Sequence, residues 1–569
     1  MIFSSPQRDE FEIRPPRAYA PPSVWILFAL LAGYACAVCL PELRRFADWI
    51  FSFGLAVFAA GASFSVFCGG GGGRWRRVLF LFGVGCLAVS YFFWRVPENP
   101  YPDFAPTEAE LTARIGDVSK GQNGSLYGTA EVVSCGRFPR LVGLPIWFTV
   151  SDGKGGLAKP LGLTASECVR FDGVLSPTDG KRYLSRGRIN SRSRDFDSYL
   201  SGKFVHYKIF AQSCGVEKLE PAGARFGFYS RLAAYMDASL SALPLGMSAD
   251  SVAAREYRAM ILGDKSLLSR ERKEAFARTG VMHVFAISGL HVGFAAAILY
   301  FALTVLRVPW RYQAAAGLPI LFLYVCACGG RPSAMRAFSM VALVWIASLL
   351  GRGAKPIDSL VLAAAVSLVL FPSDLGDAGF ALSYCIAASI FVYSLPLFEI
   401  LERRFEPRVL YGGFMRRTYS RLRRGAFGFF VGGACISFGC ALAAFPLSAH
   451  YFGYASLLSA LYSPLFVFAA GVAVSLGFAG FFLPAFLAQW LNAAACAVVW
   501  AMDWGAMRIN SLADMAVDFT LPSGFAAALA AVGFLAASDW LGRIRPQWAG
   551  FVLAPLAAGA LIFLYKIAF

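Results

Sequence analysis

Val281-Met-His-Val-Phe-Ala-Ile-Ser-Gly-Leu-His-Val-Gly293 opens an apolar run that continues to Val305. The run contains no Asp, Glu, Lys or Arg and is long enough to cross a bilayer as one helix. It nevertheless holds His283, Ser288 and His291, and so two of the chain's four histidines. Polar groups inside a span are costly, and they turn toward protein or a water-filled path. Two readings stand: imidazoles bonded to neighbouring helices or the interface, or a functional surface.

The rest of the chain has the same character. It has 569 residues, is 57% hydrophobic and has a mean hydropathy of +0.57. Such a chain has too little polar surface for a soluble globule, and implies a polytopic α-helical membrane protein. Further apolar runs lie at 24–40, 47–68 and 78–95, and then, from 313 onward, at 313–329, 334–350, 357–372, 378–398, 425–447, 454–477, 482–505, 521–540 and 547–568. With 281–305 the expected total is about thirteen spans. The net charge of +17 comes from 52 Lys+Arg against 35 Asp+Glu. Positive-inside loops explain most of it, and anionic partners are the other source. Arg74, Arg76 and Arg77, and the eight arginines against three glutamates in 399–425, mark the inner side. The amino terminus then lies in the cytoplasm and residues 100–222 outside it. Arg331 and Arg336 fall on the outer side, against the trend.

The expected organisation is therefore a cytoplasmic tail at 1–23, three membrane helices at 24–95, a soluble domain at 100–222, interfacial helices at 223–280 and a membrane core at 281–569. Within 100–222, short β-type runs at Gly128–Cys135, Leu144–Val150, Glu167–Leu175 and Lys203–Gln212 alternate with turn clusters, which predicts a small all-β barrel or sandwich. Arg170, Lys181, Arg182, Arg186, Arg188, Arg192, Arg194, Lys203 and Lys208 make this domain basic, with Tyr183, Phe196, Tyr199, Phe204 and Tyr207 interleaved. Cations along a backbone and aromatic faces for bases suit single-stranded nucleic acid; the same pattern also fits a basic face near headgroups with core aromatics. Cys135, Cys168 and Cys214 allow one disulfide in any of three pairings.

Chemistry is otherwise sparse. Arg331-Pro-Ser-Ala-Met-Arg336 offers guanidiniums that can take phosphate oxygens in pairs, or pair with an acid such as Asp264. On one helix His283 and Ser288 stand about 140° apart, poor geometry for a base and nucleophile, and no carboxylate orients them. No G-x-x-x-x-G-K-[ST] occurs, and Cys36 and Cys39 have no second ligand pair for zinc. No enzyme, metal or cofactor is expected.

A resemblance joins these pieces. Ile261-Leu-Gly-Asp-Lys265 with Phe276 to Gly293, Pro332-Ser333 with Arg336-Ala337, Gly379-Phe-Ala-Leu-Ser-Tyr384 and Ala444-Phe-Pro-Leu-Ser-Ala-His-Tyr-Phe-Gly453 resemble the motifs of ComEC-type competence proteins. The resemblance implies an OB-like amino-terminal domain and a bacterial inner-membrane channel passing single-stranded DNA into the cytoplasm in natural transformation. It implies that Asp264, His283, Ser288, Gly289, His291, Arg331, Pro332, Ser333, Arg336, Ser383 and His450 line the path, and that the basic residues of the soluble domain meet the DNA. A cytosolic ATP-driven motor or single-strand-binding proteins would supply force, and a homo-oligomer is compatible with this role. The four histidines form no H-x-H-x-D-H, so no nuclease activity is expected of this chain, and strand degradation, where needed, falls to a separate nuclease. The competing reading is a secondary transporter of a small anionic solute, with arginines as ligands and histidines as proton relays.

Overall fold

The computed structural model describes residues 22–67, 73–102, 105–120, 124–152, 161–163, 167–178, 200, 203–220, 224–244, 246–285, 287, 289–350, 356–405, 414–456, 458–512, 517–518, 530–531 and 533–535. It divides into two units, residues 1–95 with 364–366, and residues 96–363 with 367–569.

In the first unit, helices Pro22–Cys39, Ala47–Phe67 and Gly73–Arg95 follow the three expected apolar runs. Arg77–Arg95 is long and apolar enough to cross a membrane alone, whereas Ser23–Cys39 and Pro41–Ala60 form a pair bent by 109°. Pro41 explains the break, because its ring cannot continue the preceding helix. Tyr34 packs on Phe92 with ring centroids 5.2 Å apart, and Ser90 Oγ donates to the Ala47 carbonyl at 2.8 Å.

The second unit begins with a barrel. Strands β1 (Thr107–Ile115), β2 (Ser119–Lys120), β3 (Leu126–Cys135), β4 (Pro145–Val150), β5 (Cys168–Pro177) and β6 (Tyr207–Glu220) lie in the order β1-β5-β6-β4-β3-β2. A further β1–β3 pairing closes five of them into a ring. All described pairings in it are antiparallel except β4 with β6. Strict alternation builds the inside: Leu111, Ile115, Val132, Ile146, Phe148, Phe171, Leu175 and Ile209 are buried together. Strand β1 escaped the sequence reading because its inward positions include Ala109 and Ala113 and its outward ones Glu108 and Glu110, poor β-formers. Of the three pairings the sequence allows, none is made: Cys135, Cys168 and Cys214 are free thiols. Cys135 pairs with Leu111 and Cys168 with Arg114, three residues further along β1, roughly 10 Å away. Cys214 is exposed.

The helical part follows. Helix Ala224–Ser241, which the sequence lays on the membrane surface, turns Met236 and Leu240 into the core and leaves Phe228 and Tyr235 exposed. Helix Val252–Leu262 is capped by Ser251 and stopped by Gly263 at φ +70°. Helix Arg270–Arg278 ends on Gly280 at φ +77°, with the Val281 amide bonded back to the Phe276 carbonyl at 3.0 Å.

Here the structure corrects the reading of 281–305 as one span. Met282–Phe285 is a 3-10 turn, and the helix runs only from Gly289 to Val305. Val281, Val284, Phe285 and Ile287 enter the packed core, where a continuing helix would have turned part of them outward. The remaining 17 residues rise about 25 Å.

Helices Trp310–Ala327, Pro332–Leu349, Pro356–Leu370, Ala378–Ser389, Phe414–Tyr451, Ser459–Gly480 and Ala485–Leu512 complete the description. A π-turn, Ile390–Ser394, joins Ala378–Ser389 to Leu395–Phe405. The helix through Pro446 continues to Tyr451 without the break its proline predicts. Among the described residues six helices are long and apolar enough to cross a membrane singly, or seven spans if the bent pair counts as one. Gly289–Val305, Tyr312–Ala327 and Pro356–Leu370 are shorter apolar helices. The expected spans 521–540 and 547–568 lie outside the described residues, apart from 530–531 and 533–535.

Gly263 shows why the segment before the core needs glycine. A Cβ there would stand 2.6 Å from Ile287 Cγ1, in a left-handed backbone. Gly263→Ala is expected to cost about 1–2 kcal/mol for the backbone and about 1–3 kcal/mol for overpacking. Thermal unfolding of the purified protein should show the loss, and adding Ile287→Ala should return part of the overpacking cost.

Candidate nucleic-acid interface and membrane path

The motif at 331–336 starts a helix. Pro332 occupies its first turn, where no amide donor is needed, and the Arg331 carbonyl accepts from the Ala334 and Met335 amides. Ser333 Oγ donates to the Ile287 carbonyl at 2.7 Å, tying this motif to the 281–293 segment. Gly289 and Ala337 also touch across that joint: a Cβ on Gly289 would stand 3.8 Å from Ala337 Cβ.

Arg336 is 3% exposed, and its Nε and Nη1 have no hydrogen-bond partner among the described residues. Its nearest acid is Asp377, Nη1 to Oδ2 4.0 Å, rather than Asp264, which is exposed and turns on itself to accept from the Ser266 amide. Asp377 caps helix Ala378–Ser389 and takes an ion pair at 3.0 Å from Lys203, just ahead of β6. Asp374 stands close by; burial first, then Asp377, pushes its carboxyl up to about 6, against the pull of Arg336 and Lys203. Gly379 leaves room for this cluster, since a Cβ there would lie 2.8 Å from Asp377 Oδ2 and 3.2 Å from Arg336 Nη2. The sequence marks the two aspartates only as charges between apolar runs; two acids just ahead of the Gly379-Phe380 motif were the available signal.

The other path residues are dispersed. His291 is fully buried. His283 sits on the 3-10 turn with Nδ1 3.1 Å from the Gly280 carbonyl, solvent-accessible although protein surrounds it. The helical angles expected between His283, Ser288 and His291 do not apply, because the helix begins at Gly289; Ser288 itself lies outside the described residues. Ser383 is half-buried on helix Ala378–Ser389, and His450 is half-buried with its ring against Tyr451. Among the described residues no group of three His, Cys, Asp or Glu side chains is placed to hold a metal ion.

A cavity of about 550 Å³ opens between helices Gly289–Val305, Pro332–Leu349, Pro356–Leu370 and Ala378–Ser389. Its wall includes Gly293, Tyr300, Met340, Trp345, Leu360 and Ala387 and is almost wholly apolar. Met340 lies one helical turn beyond Arg336, so helix Pro332–Leu349 carries both a member of the charged cluster and part of the cavity wall.

A second charge site escaped the sequence reading altogether. Arg272 reaches Glu256 Oε1 at 2.7 Å and Asp503 at 3.0 and 3.2 Å, joining helices Val252–Leu262 and Arg270–Arg278 to Ala485–Leu512. Two carboxylates share one guanidinium, and Glu256 is 1% exposed. Burial, then Asp503, pushes Glu256 up to about 8. Nearby, buried Asn492 accepts from Tyr257 Oη at 2.9 Å and donates to the Ser239 and Ala242 carbonyls.

On the barrel, Arg170 is held by Glu110 at 3.1 Å and Glu217 at 3.3 Å, so its charge is matched locally. Lys203 is engaged by Asp377, and Lys208 lies over the Phe210 ring at 6.0 Å. Tyr207 is no stacking surface: it is buried in the barrel, with its hydroxyl bonded to Asn99 and Tyr101. Lys181, Arg182, Arg186, Arg188, Arg192 and Arg194, with Tyr183, Phe196 and Tyr199, lie outside the described residues.

Comparison with known proteins gives two matches. The family described as Competence protein matches residues 260–543. ComE operon protein 3 of Bacillus subtilis (strain 168) is 29% identical over 205 residues, which are 35% of this chain and 25% of that protein. The match therefore spans a quarter of that relative's length. No solved structure matches.

The shared-guanidinium site makes stability depend on pH. Folded Glu256 keeps its proton to about 8, whereas its ordinary value is 4.5. The folded state thus binds more protons across that window, and this contribution to stability falls as pH rises through it. Melting curves from pH 5 to 9 should show that fall, and Glu256→Gln should flatten it. Arg272→Met, which strands two buried acids, should cost roughly 3–5 kcal/mol near pH 8.

Proposed function

This chain belongs to the ComEC-type competence protein family, and from that premise we propose that it conducts single-stranded DNA across the bacterial inner membrane during natural transformation. The observation that carries the proposal is Arg336. A guanidinium with two unspent donors stands beside two aspartates, one of them paired with Lys203 just ahead of β6, on a helix that also walls a cavity. A phosphate diester is the anion suited to those donors, because it accepts paired, charge-assisted hydrogen bonds.

The barrel then receives DNA on the outer side. Its strand order, with one parallel pair closing an otherwise antiparallel ring, supports reading it as OB-like. The strand passes from the barrel to Arg331 and Arg336, where phosphate displaces Asp377, and continues past His283 and His291 into the apolar throat. An apolar throat accommodates base faces and stops ion leak by dewetting when empty. This structure is the closed form in that scheme, with His291 and Arg336 buried and Lys203 spent on Asp377. We read about thirteen spans: the six long helices, the shorter apolar helices, the bent pair and the two runs in 521–568. The amino terminus is then cytoplasmic and the barrel extracytoplasmic. A cytosolic ATP-driven motor or proteins coating the emerging strand supply the force, since the chain carries no nucleotide-binding motif.

The test is transformation in a competent host carrying the chain as its sole copy. Arg336→Gln and His291→Ala should each lower transformants sharply while the membrane level of the protein is unchanged. For Arg336 the loss should be roughly 100-fold or more, the value of two charge-assisted hydrogen bonds. Arg336→Lys, which keeps the charge but not the paired donors, should fall between. Undiminished transformation in all three variants would end the proposal.

A further inference from the structure

The outward face of the barrel carries a pattern that the basic stretch 181–194 does not explain. On β3, β4 and β6 the side chains that point away from the core include Tyr127, Trp147, Lys208 and Phe210. Tyr127 and Trp147 lie on neighbouring strands and stack, with ring centroids 5.8 Å apart and planes 27° apart. The register sets Trp147 beside Lys208 and Thr149 beside both Tyr127 and Phe210, so the three rings share one face across three strands, with Phe210 diagonal to Trp147. Phe210 is 47% exposed, with the Lys208 ammonium 6.0 Å above its ring centroid. Three aromatic rings on the polar face of a barrel cost solvation that inward placement would avoid, and here the inside is already filled by Ile146, Phe148 and Ile209.

We propose that Tyr127, Trp147 and Phe210 form a stacking platform for successive bases of single-stranded DNA, with Lys208 beside them for the backbone phosphate. The inference rests on the reading of the chain as a DNA conductor and names where the bases bind. Charge complementarity favours this occupant. The connection from β5 to β6 leaves at Pro177 and returns at Tyr207, next to Ser176 and Lys208 in the register, and its sequence holds Lys181, Arg182, Arg186, Arg188, Arg192 and Arg194. Cationic sequence leading into the strand that carries Lys208 and Phe210, with aromatic side chains on that sheet face, supplies phosphate attraction and base stacking, the two parts of sequence-tolerant single-strand binding. The platform depends on flat faces rather than on base edges, so it takes any sequence, as a conductor of arbitrary DNA requires.

The experiment separates the two parts. The full chain in lipid nanodiscs is titrated with a fluorescent oligo-dT of about twelve nucleotides and with its abasic counterpart, which has the same phosphates and no bases. The wild type should bind oligo-dT roughly 10-fold or more tighter than the abasic strand. The combined variant Tyr127→Ala, Trp147→Ala and Phe210→Ala should bind both at the abasic level, and the ring-conserving set Tyr127→Phe, Trp147→Phe and Phe210→Tyr should keep the preference. Photocrosslinking of the wild type with 5-iododeoxyuridine in the oligonucleotide should label residues 127, 147 or 210. A retained preference in the alanine variant, or crosslinks only elsewhere, overturns the platform and leaves the conductor reading standing. Equal binding of the two strands by the wild type also overturns the platform alone. Failure of the wild type to bind either strand overturns both.

Discussion

A guanidinium inside an apolar bundle must be answered by charge, and Arg272 and Arg336 in the helical core are answered in contrasting ways. Arg272 bridges Glu256 and Asp503 and thereby pins two short helices to the long helix Ala485–Leu512. Burial, and then the second acid Asp503, keep a proton on Glu256 well above the ordinary carboxylate range. Neutralisation there is nearly complete, which fits a structural joint. Arg336 is answered differently. Its closest acid stands 4.0 Å away and is already engaged by Lys203, leaving donors unspent in a buried place. One arginine is consumed by the fold and the other is held in reserve.

That contrast organises the core. The segment before Gly289 is folded back by Gly263 and Gly280, both left-handed, so Ile287 can reach under the 331–336 motif and accept a hydrogen bond from Ser333. Tyr324 and Asn492 tie further helices to the same region through buried hydrogen bonds. In apolar surroundings these few polar contacts set orientation, because shape alone discriminates weakly among similar apolar faces.

The barrel follows from alternation. Inward side chains close the ring and outward ones are left for chemistry, and the single parallel pairing between β4 and β6 brings Trp147 beside Lys208 although they are far apart in the chain. The ion pair from Lys203 to Asp377 then links the segment before β6 to the helix carrying the Gly-Phe motif. A side chain read from sequence as a phosphate contact thus serves as a tether to the helical core in this structure.

Sequence by itself determined the class of the protein: hydropathy demanded a bundle in lipid, period-two runs demanded a small β domain, and the ordered motifs from 261 to 293 and at 332–337 pointed to the family. What it misjudged were continuity and partnership. The run from Val281 to Val305 contains nothing to break a helix, yet packing of Val284, Phe285 and Ile287 into the core shortens it. Sequence left three cysteine pairings open, and register along β1 separates Cys135 from Cys168. Glu256, Arg272 and Asp503 are hundreds of residues apart at the extremes and meet only because three helices converge. Burial and composition are local properties that a chain displays in order; which acid answers which base depends on distances between elements, and those arise only when the tertiary structure forms.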